Sequence, residues 1–282
     1  MKNLKLLLVS LAILFSHNLI MGQGPKEDKK EKSSVKSALN AFKFRSIGPA
    51  FMSGRIADIA IDPENENVWY VAVGSGGVWK TENSGTTWTP LADNMPFYST
   101  GCITIDPHNN ASIWLGTGEN VGGRHVGIGH GVYHSKDGGK SWKDMGLKKS
   151  EHISKIIVHP DDPNTVWVAS QGPLWSSGGE RGLFKTTDGG KTWKNTLDIN
   201  EWTGVTDLVI DPNNPNTLYA ASWQKHRNVA ALIGGGPGTS LYKSVDGGDN
   251  WSKIDIGLPK SNKGKIGLAI SPMQPCLLYT SP

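Results

Sequence analysis

The chain has 282 residues, 37% of them hydrophobic, with 35 Gly and 11 Trp. Its formal charge of +4 is small for this length, and past the first two dozen positions no apolar run approaches the ~20 residues of a membrane span. Neither a nucleic-acid protein nor a membrane domain is favoured, and the Gly- and Trp-rich profile fits a turn-rich all-β chain.

Residues 1–22 read as a secretory signal: Lys2 and Lys5 precede the apolar run from Leu6 to Phe15, with cleavage expected around Gly22. No Cys follows that run in this region, so lipid attachment has no acceptor and a soluble periplasmic or secreted product is expected. Residues 23–42 are dominated from Pro25 to Ser37 by Lys, Glu, Asp and Ser. They carry too little apolar surface to offset their ordering entropy and read as a solvated linker. The two cysteines, Cys102 and Cys276, suggest no disulfide framework.

Residues 43–275 are organised by self-similarity. An apolar strand ending in a Pro turn recurs at Ile61-Asp62-Pro63, Ile105-Asp106-Pro107, Val158-His159-Pro160, Ile210-Asp211-Pro212 and Ile270-Ser271-Pro272. A second strand follows, as in Val68-Trp69-Tyr70-Val71 or Val166-Trp167-Val168. A third leads into a turn and a tryptophan: Thr81 to Trp88, Ser135 to Trp142, Thr186 to Trp193 and Ser244 to Trp251. These tryptophans are 54, 51 and 58 residues apart, and a period near 50 with several short strands per unit is what propeller blades produce. The segment 276–282 interrupts the fifth unit, is expected to be a non-native tail, and leaves about four and a half blades. The predicted fold is therefore an all-β, incomplete β-propeller of four-stranded blades. Such an open form is expected to expose strand edges and to aggregate.

The turn segments resemble the Asp-box, S/T-x-D-x-G-x-x-W, of sialidases, xyloglucanases and the sortilin propeller. Asn83 and Trp88, Asp137 and Trp142, Asp188 and Trp193, and Asp246 and Trp251 are its key pairs. Their expected role is scaffolding: the Asp or Asn accepts turn N–H bonds, the glycines allow positive φ, and the Trp buries a large area between strands.

In such blades the loops joining strands two and three share a face with the blade-to-blade connections, and the long insertions fall there: 116–131, 171–182 and 222–240. Of the five arginines, Arg55, Arg124, Arg181 and Arg227 lie in or beside these connections. Together with His125 and Glu180 they are candidate ligand contacts, with an anionic group or acidic peptide terminus as one fit and bracing of their own loops as the other. Glu119, Glu151, Glu180 and Glu201 are candidate acids, Glu119 foremost. His125, His130 and His134 lack a regular ligand spacing, so no metal is expected, and no motif calls for a cofactor. Cys102 reads as a small core residue.

From Phe44 to Pro275 the chain resembles exported Bacteroidetes-type proteins that carry a sortilin (Vps10) N-terminal domain and are often labelled glycosyl hydrolase. Phe44-Arg45-Ser46-Ile47-Gly48-Pro49, Gly116-Thr117-Gly118-Glu119-Asn120 and Lys148 to Pro160 carry that resemblance. It implies either a module binding a saccharide or peptide on the loop-rich face, as sortilin binds peptides, or a glycoside hydrolase of the Asp-box type. Xyloglucanases of that type place a catalytic Asp where this chain has Gly74, whereas Glu119 holds the equivalent place one blade later. Neither nucleic acid nor, after signal removal, a membrane span is expected among the partners.

Overall fold

The computed structural model describes residues 54–273 and the short strand Leu278–Thr280. The segments read as signal and linker, and Phe44 to Ile47, lie outside the described residues.

Four antiparallel, four-stranded sheets follow one another in the chain. Blade one is β1 (Ile56–Ile61), β2 (Trp69–Val73), β3 (Gly77–Thr81) and β4 (Thr89–Pro90). Blade two is β5 (Thr100–Asp106), β6 (Asn109–Thr117), β7 (Val132–Ser135) and β8 (Lys143–Asp144). Blade three is β9 (Ile153–His159), β10 (Asp162–Ser170), β11 (Gly182–Thr186) and β12 (Lys194–Leu197). Blade four begins with β13 (Thr203–Asp211) and β14 (Asn214–Gln224), is interrupted by a small hairpin of β15 (His226–Arg227) and β16 (Leu232–Ile233), and ends with β17 (Leu241–Ser244) and β18 (Ser252–Ile254). A fifth unit opens with β19 (Leu268–Ile270) paired to β20 (Leu278–Thr280). β20 falls in the tail read as non-native; a strand pairing does not decide where those residues come from.

Alternating apolar side chains on both faces of the blades make three cores, each between neighbours. Tyr70, Ala72, Ile103 and Leu115 fill the first, Trp114, Ile153, Ile156 and Val168 the second, Trp167, Leu183, Leu208 and Leu218 the third. On the free flank of blade one, Ile56, Ile59 and Ile61 are half or more exposed among the described residues.

Each inner strand of the four blades carries a bulge at the same place, six residues before its turn proline: Ala57, Gly101, Ser154 and Thr206. A bulge twists the strand and re-aims its side chains. Polar side chains around it tie blade to blade: Asp58 Oδ2 accepts from Ile103 N at 3.1 Å, Ser154 Oγ donates to Val205 O at 3.0 Å, and Asp207 Oδ2 accepts from Leu268 N at 2.8 Å.

The four Asp-box turns are built alike. The leading hydroxyl of Thr81, Ser135, Thr186 or Ser244 donates to the Asn or Asp two residues on, at 2.7–3.0 Å. The same hydroxyl accepts the N–H of Gly85, Gly139, Gly190 or Gly248 at 2.8–3.0 Å. All four of those glycines have φ between +81° and +88°, open only to glycine at low strain. Three of the tryptophans reach the preceding blade through their indole N–H. Trp142 Nε1 donates to Leu91 O at 3.0 Å and Trp193 Nε1 to Met145 O at 2.7 Å, each on the preceding blade, whereas Trp251 Nε1 divides between Gly248 O of its own turn at 3.1 Å and Thr196 Oγ1 of the preceding blade at 3.4 Å. Trp88, in the first blade, makes no such bond among the described residues and instead lies against Trp69.

Candidate functional site

The turns between second and third strands are sewn to the connection that enters the next blade. Gly76 N and Gly77 N donate to Tyr98 O, Gly129 N to Glu151 O and Gly178 N to Glu201 O. The long insertions and the blade connections therefore form one face, opposite the Asp-box turns.

Glu119 leaves β6 and reaches back over blade one. Its Oε1 lies 2.6 Å from Arg55 Nη2 and its Oε2 accepts from Gly127 N at 3.0 Å. The Glu119 side chain is 3% exposed whereas that of Arg55 is 60% exposed. A Cβ on Gly74 would come within 2.9 Å of Glu119 Cγ and closer still to its carboxylate. The space that a side chain at position 74 would need is thus filled by a carboxylate from the neighbouring blade, engaged on both oxygens.

Arg181 is 3% exposed. Its guanidinium donates to Gly178 O and Gln171 O at 2.8 Å each, to Ser176 O at 2.6 Å and to Pro173 O. It braces its own loop, and the reading of Arg181 as a ligand contact gives way to that geometry. Glu180 likewise caps a neighbour, its Oε2 accepting from Lys149 N at 2.8 Å. Arg124 remains exposed and links two insertions by donating to Val229 O at 2.8 Å. Arg227 sits in the small hairpin, its backbone N–H on Leu174 O and its Nε without a partner among the described residues. His125 is exposed. His134 lies at the far end of blade two, stacked on Trp114 with ring centroids 4.1 Å apart and 2.8 Å from Ser112 Oγ. Among the described residues no group of three His, Cys, Asp or Glu is placed to hold a metal ion. Cys102 is buried, and burial raises its thiol pKa.

Several residues of the face were invisible in the sequence. Lys225, 1% exposed, donates to Gln171 Oε1 at 2.6 Å; Gln171 Nε2 donates to Asn120 Oδ1, which also accepts from Lys265 Nζ at 2.9 Å. One polar chain thus joins the insertions of blades two, three and four to the approach of the fifth unit. Burial, then the nearby charges of Arg181 and Lys265, push the Lys225 ammonium down to about 7. His152, 1% exposed, is held neutral, pushed down to about 3 chiefly by burial. Between these lies Glu151, with φ +60° and ψ −30°, a backbone that costs a non-glycine residue of order 1 kcal/mol. Its half-buried carboxyl has no hydrogen-bond partner among the described residues, and burial raises its pKa against the pull of Arg181 and Lys225. The connections and insertions of this face also carry aromatic rings: Tyr98 is 63% and Trp175 47% exposed, and Trp202 packs on His226 at 4.1 Å.

Residues 130–265 match the family model described as sortilin, neurotensin receptor 3. The chain has a β-propeller fold and resembles that family over these residues. Among curated proteins the chain is 24% identical over 242 residues to a probable oligoxyloglucan-reducing end-specific xyloglucanase of Neosartorya fischeri, covering 79% of this chain and 26% of that protein. It is 26% identical over 229 residues to a xyloglucanase of Hypocrea jecorina, covering 72% and 26%. Of solved structures, an ancestral GH74 enzyme superposes with a TM-score of 0.62 at 24% identity over 81% of this chain and 27% of that one. The GH74 xyloglucanase of Xanthomonas campestris gives 0.58 at 18% identity, over 79% and 34%. These structural likenesses are of fold. The chain spans about a quarter of the length of the curated relatives it matches.

Proposed function

We propose that this chain forms part of an exported glycoside hydrolase of the Asp-box propeller type, which takes a β-glucan such as xyloglucan on its loop-rich face. The observation that carries this reading is the match to xyloglucanases across most of the chain. Supporting it, Tyr98 and Trp175 present exposed rings on the same face, and flat aromatic surfaces stack on the apolar faces of sugar rings while hydroxyls reach polar neighbours. Glu151, strained and with an unpartnered carboxyl of raised pKa, has the attributes of a general acid. No helix among the described residues is long and apolar enough to cross a membrane.

A second reading, a saccharide-binding module without turnover, is favoured by one specific feature: the carboxylate over Gly74 belongs to Glu119, buried and tied to Arg55 and Gly127. Incubating the full-length protein with xyloglucan and measuring reducing ends separates the two. The hydrolase reading expects release that falls at least a hundredfold in Glu151→Gln with binding retained. Binding with no release supports the module, and neither binding nor release contradicts both.

A further inference from the structure

At the mouth of the propeller axis, on the loop-rich face, the inner strands of the four blades and the approach of β19 line a half-open cavity of about 270 Å³. Four charged side chains line it: Asp58 from blade one, Lys155 from blade three, Asp207 from blade four and Lys265 ahead of β19. None of the four is ion-paired with another. Lys155 Nζ makes no hydrogen bond within the described residues, and Lys265 Nζ uses two of its three donors, both on Asn120.

The two carboxylates are fixed but not saturated. Asp58 accepts Ile59 N and Ile103 N, and Asp207 accepts Leu208 N and Leu268 N, one N–H on each oxygen. A carboxylate has roughly four acceptor sites, so each keeps capacity directed elsewhere. Gly267 leaves the wall open, since a Cβ there would meet nothing within 4 Å.

Two carboxylates and two ammoniums on one cavity give no net charge, so a bare anion or cation would meet as much like charge as opposite. A ring bearing several hydroxyls satisfies both kinds of group, each hydroxyl being donor and acceptor. Ligand pockets for larger molecules run from about 300 Å³ upward, so the size suits a single ring. We propose that this axial cavity binds one neutral sugar unit, its hydroxyls donating to Asp58 and Asp207 and accepting from Lys155 and Lys265. This deepens the saccharide reading of the face and rests on it for the ligand class. In that frame the aromatic residues hold the chain of the glycan and the axial cavity takes a terminal or branching unit.

The test is a titration of the full chain with D-xylose, D-glucose and D-galactose separately, followed by amide shifts of Gly101, Lys155 and Gly267. Saturable shifts with at least one of the three are expected. Affinity is expected to fall tenfold or more in Lys155→Met, which removes a partnerless ammonium, and in Gly267→Leu, which fills the cavity. Trp175→Ala is expected to leave monosaccharide binding unchanged while weakening a xyloglucan oligosaccharide. Unchanged monosaccharide affinity in both axial variants, or no shifts with any sugar, overturns the axial site, and the oligosaccharide result then reports separately on the face. Saturable binding of glycine in place of sugars would overturn the ligand class by showing a site for zwitterions.

Discussion

Glu119 stands over Gly74 in the space that a side chain on Gly74 would need, so the backbone of blade one and the carboxylate of blade two share one volume. Gly74→Asp alone is expected to destabilise the protein by about 1–3 kcal/mol through overpacking beside a buried carboxylate. With Glu119→Ala in the same chain, most of that loss is expected to disappear. Denaturant unfolding of the two single variants and the double variant measures the coupling, and additive effects would show that the two positions do not compete.

The Asp-box carboxylates set an acid limb. Hydrogen bonds from Ser141, through both side chain and backbone, hold Asp137 down to about 2, and Asp188 and Asp246 are lowered by the same kind of bonds from Thr192 and Asn250. A folded pKa below the unfolded value gives stability present above the unfolded pKa, near 4, and lost as pH falls through the folded one. Thermal stability is therefore expected to drop between about pH 4 and pH 2. Asp137→Asn should reduce that drop, because Asn83 already makes the corresponding bonds in the first box with an amide oxygen.

Lys225 titrates with the opposite sense of cost. Its folded pKa of about 7 lies below the unfolded lysine value, so the unfolded chain binds more protons above pH 7 and folding stability rises with pH there. The charges facing it are Arg181, Lys265 and Glu151. Melting temperatures from pH 6 to pH 9 are expected to rise in the parent chain and to flatten in Lys225→Met. A parallel rise in both would assign the effect to another group.

The indole staples should behave unequally along the chain. Trp193→Phe removes the bond to Met145 O and is expected to cost about 1 kcal/mol beyond the lost area, whereas Trp88→Phe removes no such bond. Equal losses in equilibrium unfolding would mean that ring area alone matters.

The scaffold was readable because it repeats: each Pro turn fixes where an inner strand ends, and each Asp-box fixes where a third strand turns. The tryptophan was read as burying area between strands; that Trp142 and Trp193 bond to the preceding blade depends on a neighbour in space that a linear motif does not show. The site was less legible. Glu119 and the arginines were identified by type and loop, but whether Arg181 faces a ligand or four carbonyls depends on how residues 171–181 fold back on themselves. Lys225, Gln171 and Asn120 come from three blades, and only the stacking of those blades brings them together. The strain at Glu151 has no sequence marker at all, because a Glu in a left-handed backbone looks like any other Glu.

The most direct test of the central claim is calorimetric titration of the full-length protein with a xyloglucan oligosaccharide, comparing the parent with Trp175→Ala and, as a control on the opposite face, Trp88→Phe. Saturable binding weakened tenfold or more by Trp175→Ala and untouched by Trp88→Phe is the predicted result. Absence of binding in the parent, or equal binding in all three proteins, would contradict a saccharide site on the loop-rich face.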